Sequence, residues 1–172
     1  MKKFVIGVVV LSFITSSVVF AEPTDVNLDI IRTNCNAARS TIQRVVSGDK
    51  TSRINRGRAY DRMSRLMINF SERLRQNGID NRKFVGIANE FSQATASFRT
   101  NYDDYKISID GVINRECVSR PADFYEDLLV ARDKRRKLND NTIHLNEIAE
   151  RYKSAVSELR QSLYGEKTNE QV

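Results

Sequence analysis

Apolar residues recur along this chain at alternating steps of three and four. Leu28, Ile31, Cys35, Ala38, Ile42 and Val45 form one series, and Tyr60, Met63, Met67, Phe70 and Leu74 a second. A third runs through Phe84, Ile87, Phe91, Ala94 and Phe98, then Tyr102, Tyr105, Ile109 and Val112. The longest joins Leu128, Ala131, Arg135, Leu138, Thr142, Leu145, Ala149, Tyr152, Val156, Leu159 and Leu163. Such spacing lays one narrow apolar stripe along each helix, as in bundles and coiled coils. Strands would need period two, which no segment sustains. The expected fold is all-α.

The chain has 7 Gly and 2 Pro, so it has few places to turn and its helices should be long. Gly78 suits the left-handed residue that ends a helix, with Asp80 to cap the next. Ser119-Arg120-Pro121 opens another helix, because proline is tolerated only in a first turn. Gly165 is expected to end the last helix, leaving residues 165–172 as a disordered polar tail. Ser47-Gly48-Asp49 is a softer break, since Ile54 is the one clearly apolar residue from Ser47 to Arg58.

The N-terminus reads as a leader. Met1-Lys2-Lys3 is basic, Phe4 to Phe20 carries no charge, and Val19-Phe20-Ala21 offers small residues before a cut ahead of Glu22-Pro23. This is the layout of a secretory signal peptide over residues 1–21. An uncleaved membrane anchor is the competing reading, with an apolar run at the lower limit for a bilayer. The domain is then expected over residues 22–164. An exported protein with Cys35 and Cys117 should join them, as two cysteines allow one intramolecular connectivity.

That bond separates two architectures. A four-helix up-and-down bundle reverses the chain at Gly48 and leaves the two cysteines about 30 Å apart, too far to bridge. An elongated antiparallel bundle of three long helices, its first arm kinked or broken near Gly48, brings them within about 9 Å. Reflection about turns near residues 79 and 119 sets Leu163 level with Leu74, and Arg135 level with Asp103. The three-helix arrangement is preferred.

Cys35, the run Arg58-Ala59-Tyr60-Asp61-Arg62-Met63, Gly78-Ile79-Asp80, Cys117, and Phe124, Leu128 and Ala131-Arg132 together resemble an uncharacterised group of exported helical proteins of ultra-small candidate-phylum bacteria. Arg58-Ala59-Tyr60 departs from the Arg-His-Ile expected there. The resemblance implies a signal peptide, long helices and paired cysteines, and carries no activity.

Catalytic constellations are missing from the sequence. The single histidine, His144, shares a helix face with Glu147, but a zinc or di-metal site needs at least three protein ligands. No Gly-x-Ser-x-Gly or phosphate-binding glycine loop is present. Adjacent Asp103 and Asp104 point about 100° apart on a helix and would not share a proton easily. Neither an enzyme, a cofactor nor a metal is expected.

Charge changes the picture in one place. The chain is +6, and +4 without the two leader lysines, which does not imply nucleic acid. Arg132, Lys134, Arg135, Arg136 and Lys137 crowd one stretch, and Arg135 occupies a seam position. The reflections bring Arg53, Arg56 and Arg58 to the same height. This belt reads either as an internal ion-pair layer among Asp103, Asp104 and Asp133, or as an anion site. The partner would be an anionic envelope polymer, an acidic lipid or a surface protein. The function expected is an exported structural or binding rod at the cell envelope. The alternative is an extracytoplasmic chaperone-like protein, which needs a contiguous exposed apolar patch. The long seams could also zip the chain into homo-oligomers.

Overall fold

The computed structural model describes residues 27–169, with side chains to residue 163, so the leader expected at the N-terminus lies outside the described residues. The protein is all-helical. Four helices pack together, α1 (Leu28–Thr33), α2 (Cys35–Gln76), α3 (Arg82–Asn114) and α4 (Pro121–Asn169), with no strand among the described residues.

The first arm is interrupted at Asn34, not at Gly48. Asn34 separates α1 from α2, and its side chain donates to the Ile30 carbonyl at 2.9 Å. Such back-bonding competes with regular helix geometry. Helical hydrogen bonds nevertheless continue across it, from the Asn34 N–H to Ile30 and from the Ala38 N–H to Asn34. Gly48 lies inside α2. An interior glycine costs a helix only about 1 kcal/mol, which neighbouring turns absorb. The reversal that an up-and-down bundle would need at Gly48 is therefore absent. Gly165 behaves alike. The last helix runs past it to Asn169, so the polar tail expected from residue 165 is helical that far; no proline follows to stop it.

The turn after α2 follows from its sequence. Gly78 has φ +70°, in the region glycine adopts without penalty. Its N–H bonds the Arg75 carbonyl, and the Ile79 N–H reaches back to Leu74, closing a Schellman motif. Ile79 then packs on the cluster containing Leu74. The Asp80 carboxylate accepts from the Arg82 N–H at 3.0 Å and opens α3. Pro121 opens α4, as its sequence position requires.

Three apolar clusters share the core. Cys35, Tyr102, Tyr105, Ile109, Val112, Cys117, Phe124 and Ala131 fill one end. Met67, Ala88, Phe91, Ala94, Phe98, Leu145 and Ile148 fill the middle, and Leu74, Phe84 and Ala155 the other end. Tyr60 meets Phe91 and Phe98 edge-on, and Phe70, Phe84 and Tyr152 form an edge-to-face trio. The seams differ from expectation in detail: Val46 packs on the first cluster in place of Val45, which is exposed, and Met63 and Leu163 are exposed as well. Off the seams, Ile68, Val85, Ile107, Leu129 and Ile143 face solvent.

Cys35 and Cys117 stand at disulfide distance, their Cα atoms 5.7 Å apart, and both are buried. The pair fastens the start of α2 to the loop between α3 and α4.

Candidate functional site

The relative course of α2 and α4 can be read from side-chain partners. Asp49 meets Arg135 and Arg56 meets Thr142, each pair 86 residues apart, and Met67 meets Tyr152 at 85. A constant offset means that the two helices run parallel. α3 is antiparallel to both, pairing with α2 through Tyr105–Asp49 and Arg99–Asp61, and with α4 through Lys83–Glu158 and Glu90–Arg151. No Cα of α2 comes within 8 Å of one of α4 among the described residues, although α3 packs closely on each. α2 and α4 therefore stand farther from each other than either does from α3, and between Asp49 and Arg56 a groove lies between them with α3 as its floor.

Where that groove is polar it opens into a cavity of about 370 Å³. Arg53 and Arg56 wall it from α2, Arg132, Arg135 and Arg136 from α4, and Phe98 and Tyr102 lie beneath. Asp49, Ser52, Asn139 and Thr142 complete the polar lining. The Arg53 guanidinium sits over the Tyr102 ring, 5.0 Å from its centre, a cation–π contact that directs it inward. Arg56 Nη1 donates to Thr142 Oγ1 at 3.1 Å, and Thr142 donates in turn to the Leu138 carbonyl.

Five of the eight basic residues expected to form the belt thus converge, and three do not. Arg58 is about 200° round the helix from Arg56, and Lys137 about 200° from Arg135. Lys134 leans to α3, its Nζ 4.0 Å from Asp104. Lys137 lies 3.6 Å from Asp133, which Arg136 also contacts.

Arg135 was expected beside Asp103; it pairs instead with Asp49, through Nε at 2.8 Å and Nη2 at 2.9 Å. Asp103 goes to Arg53 at 3.9 Å. The discrepancy is one of register. Lys83–Glu158 and Glu90–Arg151 centre the second turn between residues 120 and 121, later than the expected 119. Asp49 also accepts from the Tyr105 hydroxyl at 2.7 Å. Burial pushes the Asp49 carboxyl up, but the bonds from Arg135 and Tyr105 outweigh it and hold the carboxyl below its ordinary range. Burial, and then the bond to Asp49, raises the Tyr105 hydroxyl, so it stays a donor. Asp49 was overlooked in the sequence because Ser47-Gly48-Asp49 read as a break. Within an unbroken helix it shares a face with Arg53 and Arg56, at steps of four and three.

Five of the eight cations pair with four carboxylates, Asp49, Asp103, Asp104 and Asp133. Arg56, Arg58 and Arg132 have no carboxylate partner among the described residues. The belt is therefore partly an ion-pair layer and retains net positive charge. Apart from Asp49, the side chains in these pairs are about a third or more exposed, so each pair contributes little and exchanges readily.

Elsewhere His144 lies 3.6 Å from Glu147 and 3.9 Å from Glu90, and Glu90 is also taken by Arg151. No group of three or more ligating side chains fit to hold a metal ion occurs among the described residues. No helix among them is long and apolar enough to cross a membrane. Comparison with protein-family models, with curated proteins and with solved structures finds no match for this chain.

Proposed function

We propose that the protein is an exported, non-catalytic binding or scaffolding module. It is a stapled rod of three long helices, with α1 as a short lead-in to α2, and it docks an anionic polymer of the cell envelope in the groove between α2 and α4. The observation that carries this reading is the convergence of Arg53, Arg56, Arg132, Arg135 and Arg136 on one cavity. A layer built only for stability would match these with carboxylates, yet Arg56 and Arg132 have none among the described residues. Like charges held together favour an anion that neutralises them. The cysteine pair supports an oxidising compartment.

The test is retention on immobilised dextran sulfate. Wild type should be held at low salt and released as salt rises, since exposed charges are screened over about 8 Å at physiological ionic strength. Replacing Arg53, Arg56, Arg132 and Arg136 by Gln should leave the helical circular dichroism intact and abolish retention. Replacing Lys134 and Lys137 by Gln should change retention little. Equal loss in the two variants would mean that net charge, not the groove, does the binding.

A further inference from the structure

We propose, resting on the groove as the docking site, that its occupant is a single extended strand of a linear phosphodiester polymer, with its phosphates gripped in succession by arginines of α2 and α4.

The register gives the layout. With α4 offset by 86 residues from α2, Arg132 stands opposite Val46, Arg135 opposite Asp49, and Arg56 opposite Thr142. Arg132, then Arg135 with Arg136, then Arg53 and Arg56 follow one another at about one helical turn, over ten residues or about 15 Å of groove. They form a line, not a cluster. This line of cations makes the groove a slot matched to an extended chain that carries anionic groups at intervals along it.

The residue types point the same way. Every cation lining the slot is arginine, whereas Lys134 and Lys137 of the same basic run lie outside it. The guanidinium fork matches two phosphate oxygens at once, and an ammonium does not. Ser52, Asn139 and Thr142 add neutral hydrogen-bonding groups between the cations, fitted to polyol hydroxyls. A polyol phosphate chain with six backbone bonds per repeat extends roughly 7 Å per repeat, scaled from a three-bond peptide residue. The slot then spans about two repeats and engages about three phosphates.

The experiment is calorimetric titration of the purified protein with poly(glycerol phosphate) of about ten units. The comparators are glycerol 3-phosphate, poly-glutamate of equal charge, a ten-residue oligothymidylate, and phosphatidylglycerol vesicles. The polymer should bind with a salt slope near 2, from about three phosphates at about 0.7 each. Glycerol 3-phosphate should bind at least a hundredfold more weakly, poly-glutamate and oligothymidylate at least tenfold, and vesicles should not sediment the protein. Arg53→Gln and Arg132→Gln should each weaken the polymer three- to tenfold and lower the slope by about 0.7. Equal binding of poly-glutamate or vesicles would overturn the phosphodiester assignment; equal binding of oligothymidylate, itself a linear phosphodiester, would overturn only the fit to polyol hydroxyls. If dextran sulfate is still retained through the groove arginines, the docking reading survives that result. If no polyanion is retained, both fall.

Discussion

The two halves of α2 are held by different physics. From Tyr60 to Gln76 the helix buries Met67, Ser71 and Leu74 and stacks Tyr60 and Phe70 edge-on against the rings of α3 and α4. Between Cys35 and Met67 it buries no residue. That first half is tied down by the cysteine pair, by half-buried Ile42 and Val46, and by Asp49, Arg53 and Arg56 reaching across to α3 and α4. Where apolar packing fades, between Asp49 and Arg56, polar side chains join α2 to α4, and the groove opens there. The candidate site is the place where the bundle is least an apolar core.

The largest test of this contrast removes the staple. Cys35→Ser with Cys117→Ser should cost about 4–5 kcal/mol, because the bond closes a loop of 82 residues. Hydrogen exchange should then show protection lost over residues 35–57 before residues 60–76. Equal loss along α2 would mean that its halves are not separately held.

The converse lesion is Phe91→Ala, in the middle cluster, where Phe91 is 1% exposed. It should cost about 3–5 kcal/mol in urea unfolding, while Cys35–Cys117 survives in the unreduced protein. A cost below about 1 kcal/mol would show that the aromatic half is not the anchor.

Asp49→Asn probes the polar half. It removes the charge and one of the two oxygens to which Arg135 and Tyr105 donate, and should cost about 1–2 kcal/mol at pH 7. The sign with pH follows from a folded carboxyl held below its ordinary 3.8. That contribution is fully present above the unfolded value and is lost as pH falls through the folded one. Wild type and variant should therefore differ by a constant amount above the ordinary carboxyl range and converge in acid, as pH falls through the lowered folded value. A gap that widens in acid would reverse the assignment.

Much of this was legible in the sequence. The seams locate α3, the second half of α2 and most of α4, because large residues such as Phe91, Met67 and Leu145 must be buried and recur at helical steps. Gly78 and Pro121 mark turns through backbone restrictions that need no tertiary context. The cysteine pair fixed the general layout. What failed was local. The sequence suggests a kink or break at Gly48 and a stop at Gly165, yet a lone glycine lowers helix stability without ending a helix. Asn34, whose side chain does perturb the backbone, carries no signal distinct from other asparagines. The belt was legible as a height and not as a groove. Reflection cannot tell Arg58, on the outer face, from Arg56, on the inner one, and a turn centred about one and a half residues too early shifts the register by about three, which gives Arg135 the wrong aspartate.

Gly48→Ala is the smallest effect and tests the continuity of α2. A Cβ there would meet nothing within 4 Å, so the change should stabilise the protein by about 0.5–1 kcal/mol in thermal unfolding. Destabilisation would mean that the backbone at Gly48 is not helical.

The central claim is that anions dock where the apolar core gives way to arginine. It is tested most directly by following backbone amide resonances while dextran sulfate is added. The account predicts shifts at residues 46–57 on α2 and 131–143 on α4, saturating together, with residues 63–76 and 147–160 unmoved. Shifts confined to Lys134, Lys137 and other outward-facing cations, or spread evenly along the rod, would contradict it.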